Sequence, residues 1–100
     1  MLAYLSLEAS IEGGIMTVDV RNTAQHGIIA TLELNDNNPA AALEVPFDRN
    51  QEYAIVWIVK SKREGCRYNL DIIEPVTAGT RIRKTLRKGA CSIDAVTVHS

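Results

Sequence analysis

Apolar and polar residues alternate strictly along short runs through most of this chain. In Leu5-Ser6-Leu7-Glu8-Ala9-Ser10-Ile11 the odd positions are apolar, and in Cys66-Arg67-Tyr68-Asn69-Leu70-Asp71-Ile72 the even ones are. A period of two sets every second side chain on one face, so each run has a dry and a wet side. A helix would need apolar residues three and four apart, and no stretch reads convincingly that way. The alternation predicts strands at Tyr4–Ile11, Ile15–Asn22, Ile28–Leu34, Ala40–Val45, Glu52–Val59, Cys66–Ile73, Thr80–Leu86 and Cys91–Val98.

The breaks between them carry turn chemistry. Glu12-Gly13-Gly14 supplies glycines for a tight hairpin, and Asn35-Asp36-Asn37-Asn38-Pro39 is the strongest interruption. Ala40–Val45, flanked by Pro39 and Pro46, suits a short edge strand. In the third strand Ile28, Ala30, Leu32 and Leu34 share the dry parity. Glu52–Val59 is apolar on both sides of Trp57, which predicts a central strand buried on each face. The expected fold is an all-β, immunoglobulin-like Greek-key β-sandwich of seven to eight antiparallel strands, forming one domain over residues 1–100.

With 46% hydrophobic and 23% charged residues the composition is that of a globular chain, not a disordered one. The longest apolar run, residues 54–59, falls far short of the roughly 20 residues of a membrane-spanning helix. Met1-Leu2-Ala3-Tyr4-Leu5 lacks the basic start of a secretory signal.

No cofactor, metal or catalytic constellation is expected. His26 lies in a turn with no nucleophile in a recognisable elbow, and His99 lies near the end of the sequence. The Asn35–Asn38 loop is rich in oxygen but lacks the paired spacing of a calcium loop. Asp19 and Glu33 fall on wet faces of neighbouring strands. Cys66 and Cys91 each open a strand. A bridge between them would close a loop of about 25 residues and add about 3 kcal/mol. Two free buried thiols fit the spacing equally well.

Charge is distributed unevenly. Residues 1–50 carry seven acids and two bases, whereas residues 51–100 carry five acids and nine bases. If the sixth and seventh strands pair, Arg67, Arg81, Arg83 and Arg87 share one outward parity. With Lys84 they form the candidate anion- or lipid-binding set, attracting phosphate groups. The plainer reading of the same residues, and the one to be preferred, is protection of a sheet edge from aggregation. Tyr68 is the only aromatic residue nearby and has inward parity, which disfavours nucleic acid as a partner.

From Ile15 to Val98 the chain resembles the small C-terminal domain of bacterial phospholipase C enzymes of the acid-phosphatase-like type. The likeness runs through Thr17-Val18-Asp19-Val20-Arg21-Asn22-Thr23 and the polar loop Asn35-Asp36-Asn37. It continues in Leu43-Glu44-Val45-Pro46, Glu52-Tyr53-Ala54-Ile55-Val56-Trp57, Gly65-Cys66-Arg67-Tyr68-Asn69-Leu70 and the stretch Ile82–Val96. It departs where the family has Trp beside the Tyr of the sixth strand and this chain has Cys66 or Arg67. The resemblance implies a non-catalytic accessory module of a secreted or periplasmic phosphodiesterase. Such a module would contact phospholipid headgroups or a catalytic domain of the same polypeptide. The alternative is a free-standing immunoglobulin-like interaction or inhibitor domain that binds another protein.

Overall fold

The computed structural model describes residues 3–24, 27–47, 51–74 and 81–99. Eight strands are present among them: β1 (Ala3–Glu12), β2 (Gly14–Asn22), β3 (Gly27–Leu34), β4 (Ala40–Phe47), β5 (Glu52–Ser61), β6 (Cys66–Glu74), β7 (Arg81–Leu86) and β8 (Cys91–His99). Sheet one has the order β4-β1-β6-β7 and sheet two the order β3-β2-β5-β8, every pairing antiparallel. This is a sandwich of immunoglobulin-like architecture with its own strand order. Connections repeatedly pass from one sheet to the other, so β1 ends beside β4 and β6, and β5 beside β2 and β8.

Parity explains the core. The odd residues Leu5, Leu7, Ala9 and Ile11 of β1 and the even residues Cys66, Tyr68, Leu70 and Ile72 of β6 are buried. They meet Met16, Val18 and Val20 of β2 and Tyr53, Ile55, Trp57 and Val59 of β5. Burying a side chain of this size is worth roughly 1.5–3 kcal/mol, which is why the inward parity is so strictly kept. The Tyr68 hydroxyl spans the layers and lies 3.5 Å from the Ser92 hydroxyl.

Three expectations are corrected by the pairing. The Gly13-Gly14 turn is not a hairpin, because β1 and β2 belong to opposite sheets; the glycines carry the chain across the sandwich. Gly13 has φ +88°, and a Cβ on Gly14 would lie 2.3 Å from the Lys60 carbonyl oxygen, an approach only glycine permits. Ile28 is not on the dry side. The register shifts between Val20↔Ala30 and Arg21↔Ile28, leaving Ile29 as an extra residue and turning Ile28 outward at 59% exposed. A second shift, from Ser6↔Glu74 to Leu7↔Ile72, leaves Ile73 unopposed and exposed. Finally, β5 is central in its sheet but buried on one face only. Ala54 and Val56 are half-buried on the outer side, and Ile58 is exposed.

Among the described residues β4 is an edge strand, paired with β1 alone. Pro46 sits within it opposite Tyr4, a place where the missing N–H breaks no second ladder.

Candidate functional site

The pairing of β6 with β7 sets Arg67 opposite Thr85, Asn69 opposite Arg83 and Asp71 opposite Arg81. Arg67, Arg81 and Arg83 therefore stand on one outward face, that of sheet one. Acids interleave with them. Glu12 is opposite Arg67 on β1, and Glu8 is opposite Asp71. Arg83 reaches diagonally to Asp71, with Nη1 donating to Oδ1 and Nη2 to Oδ2, the latter at 2.9 Å. Arg81 Nε lies 3.9 Å from the same carboxylate. The hydrogen-bonded Arg83 guanidinium holds the Asp71 carboxyl below its ordinary pKa, and the carboxylate in turn raises that of Arg83. Three arginines thus face three carboxylates, and this face is not the uniformly basic surface that parity alone suggests.

Two of the candidate cations fall elsewhere. Lys84 has the opposite parity and points to the sandwich mouth, where Nζ lies 4.0 Å from Asp94 Oδ2 on β8 of the other sheet. Arg87 lies beyond the end of β7, in the turn closed by the Ala90 N–H donating to the Arg87 carbonyl. A strand that stops at Leu86 cannot carry Arg87 on its face.

A shallow depression of about 370 Å³ lies on this outer face, lined by Glu8, Ser10, Ala40, Asn69, Asp71 and Arg83. The small side chains of Ala40 and Ala42 on β4 form its low wall, and Asn69 Nδ2 donates to Ser10 Oγ at 3.0 Å across its floor. Ser10 Oγ is thus engaged by an amide, with the Glu8 and Asp71 carboxylates on the same lining.

Most of the basic residues gather at one end of the molecule. The turns β1–β2, β3–β4, β5–β6 and β7–β8 all meet there. The Gly13 carbonyl accepts from the Lys62 and Arg63 N–H groups, the Ser61 carbonyl from Gly89 N–H, and the Ala90 carbonyl from Ser61 N–H. These backbone bonds gather Lys60, Lys62, Arg63, Arg87 and Lys88, all exposed, with Arg67 at the rim. Acids are fewer. Asp36 Oδ1 accepts from Gly13 N–H at 3.3 Å and lies 3.9 Å from Arg63, while Glu64 accepts from Lys88 N–H. The Asn35 side chain is likewise committed to the backbone, accepting from the Asn37 and Asn38 N–H groups.

A signal for this end is present in the sequence. Turns separated by an even number of antiparallel strands fall at the same end, and the basic turns near residues 62–65 and 87–90 are separated by two. Both turns are readable as turns; what parity along a strand does not register is which end they share.

The two cysteines are free. Cys66 points inward from β6, whereas Cys91 is on the outer face of sheet two, opposite Lys60. Their parities oppose, so the bridge considered from spacing alone has no geometry to form. Burial pushes the Cys66 thiol above its ordinary pKa, against a smaller downward pull from the Ser61 hydrogen bond and the Arg63 charge. His26 lies outside the described residues. Among the described residues no cluster of three His, Cys, Asp or Glu could hold a metal ion.

No protein-family model matches the chain, and no curated protein does. Among solved structures it is similar to a DUF4425 family protein from Bacteroides ovatus. That likeness has a TM-score of 0.46 and 10% identity over 98% of this chain and 95% of the other.

Proposed function

We propose that this chain is a non-catalytic binding module that meets a phosphate-bearing anionic surface with the basic end of its sandwich. The gathering of Lys60, Lys62, Arg63, Arg67, Arg87 and Lys88 at that end supports this reading. Against them stand Glu12, Asp36 and Glu64, so six bases and three acids leave a local balance of +3. Asp36 already faces Arg63. Each basic side chain near an anionic phospholipid surface contributes roughly 1 kcal/mol, and exposed cations on turns can settle onto headgroups without a preformed pocket. In an accessory domain of a phospholipase C-like phosphodiesterase, the role implied by the resemblance, such contact would hold the neighbouring catalytic domain at its lipid.

Flotation with phosphatidylcholine vesicles, with and without an anionic phospholipid, tests this. Recovery is expected only with anionic vesicles, falling as salt rises. It should be lost when Lys62, Arg63 and Lys88 are all changed to Glu. Equal recovery from both vesicle types, unaffected by salt or by the charge reversal, rejects the reading.

A further inference from the structure

Among the described residues the sandwich has four edge strands with one paired side each, β4 and β7 in sheet one and β3 and β8 in sheet two. An unpaired strand exposes a row of N–H and C=O groups that can pair with another chain, and proteins blunt such edges with proline, lysine, bulges or brevity. Three of these edges carry such devices. β4 contains Pro46 and Glu44, β3 is bent by the bulge at Ile29, and the six-residue β7 carries Arg81, Arg83 and Lys84.

β8 differs. It pairs with β5 over nine consecutive residues without a register shift. Between Cys91 and Val98 it has no proline, glycine, lysine or arginine, and Asp94 is its only charge. Its outer face carries Cys91, Ile93, Ala95 and Thr97, and the apolar part of it continues onto β5. Ile93, 69% exposed, lies opposite Ile58, and Ala95 lies opposite Val56. The borders of this strip are basic. Lys60 is opposite Cys91, Lys84 faces Asp94 across the sandwich mouth, and the turn bearing Arg87 and Lys88 leads directly into β8.

We infer that β8 is a strand-accepting edge for a protein partner that offers an extended segment alternating apolar and acidic residues. Backbone hydrogen bonds along the edge would supply affinity, and the side chains would supply specificity. Apolar residues of the segment would cover Ile93 and the strip behind it. Acidic ones would turn to Lys84 and to the Arg87–Lys88 turn. A second copy of this chain is a poor occupant, because joining two β8 edges would bring the basic β7 edges of both copies together. This inference shares Lys60, Arg87 and Lys88 with the lipid-surface reading but does not rest on it, because the β8 edge, Ile93 and Lys84 belong to the edge alone.

The test uses a short synthetic peptide alternating valine and glutamate, titrated against the whole chain while backbone hydrogen exchange is followed. Binding should slow exchange within residues 91–98 and leave β3 and β4 unchanged. A peptide alternating valine and lysine should bind at least roughly tenfold more weakly. N-methylation of alternate amides on the edge-facing side of the acidic peptide should abolish binding. Lys84→Glu should weaken the acidic peptide roughly tenfold, and the exposed substitution Ile93→Thr should weaken it while leaving the fold intact. The inference is overturned if the acidic peptide fails to bind at millimolar concentration, or if N-methylation or Ile93→Thr changes nothing. Protection confined to another edge overturns it too, as does self-association through β8 that excludes the peptide.

Discussion

On their inner sides the two sheets are near equivalents. Sheet one contributes Leu5, Leu7, Tyr68 and Leu70, and sheet two Val18, Val20, Ile55 and Trp57, none more than 2% exposed. On their outer sides they part. The β6–β7 half of sheet one carries the Asp71 carboxylate in contact with the Arg83 and Arg81 guanidinium groups, whereas the β5–β8 half of sheet two exposes Ile58 and Ile93. Inner positions answer to one requirement, removal from water, so any well-packed apolar side chain serves. Outer positions have no such common requirement, and what they carry records what each surface meets.

The largest expected effects test the equivalence of the inner faces. Trp57→Ala and Leu7→Ala should each destabilise the protein by several kcal/mol, about 3–5 and 2–5 respectively, as truncations of well-packed cores do. Outer-face Ile93→Thr should stay within about 0.5 kcal/mol. Trp57→Phe sharpens the comparison. Trp57 Nε1 is buried without a hydrogen-bond partner among the described residues, and such an orphan costs about 1–3 kcal/mol. Removing it offsets part of the lost packing, so Phe should cost clearly less than Ala. Urea unfolding midpoints read all four variants. Equal losses for Trp57→Phe and Trp57→Ala would mean the indole N–H does have a partner.

The same contrast explains what was legible in the sequence. Inner parity is local, because a residue in β6 needs only its own alternation to know its side. The eight strands were therefore readable from the chain alone, including β7, whose Arg81, Arg83 and Lys84 obscure it. Departures from parity are non-local. Ile28 turns outward because β2 and β3 slip past one another at Ile29, and nothing in Gly27-Ile28-Ile29-Ala30 announces that. Likewise β5 reads as buried on both sides because Ala54, Val56 and Ile58 are apolar; the half-burial of Ala54 and Val56 and the exposure of Ile58 show that they form an outer face. The arginine face was legible in part. Parity aligned Arg67, Arg81 and Arg83, but the acids beside them come from β1, nearly sixty residues away in sequence, and from Asp71 on β6 itself. Arg87 departs from that face because β7 stops at Leu86, and alternation says nothing of where a strand ends.

A smaller effect distinguishes the outer face of sheet one. Asp71 has a lowered pKa in the fold, so its pairing with Arg83 stabilises the protein above the ordinary carboxyl value of 3.8. That contribution is lost as pH falls through the lower, folded value. Arg83→Gln should therefore reduce stability at neutral pH, by much less than any core truncation because the pair is exposed. Well below pH 3.8 the variant and the parent should converge. Urea midpoints measured across that range provide the check, and a gap that persists in acid would show that Arg83 acts by packing instead of by charge.

The smallest effect concerns the cysteines, which the two faces separate. Cys91, on the outer face of sheet two, is exposed, so Cys91→Ser should leave stability within about 0.5 kcal/mol of the parent. It should nonetheless remove all alkylation of the native protein. Cys66 is shielded by the core, and its raised pKa keeps it in the unreactive thiol form at neutral pH. Mass spectrometry after iodoacetamide should show one adduct on the folded parent, two on the parent in denaturant, and none on folded Cys91→Ser. If the parent takes no label in denaturant without reductant, the two sulfurs are joined. Cys66 and Cys91 would then have to face each other, and the outward parity of β8, on which its apolar strip depends, would be wrong by one residue.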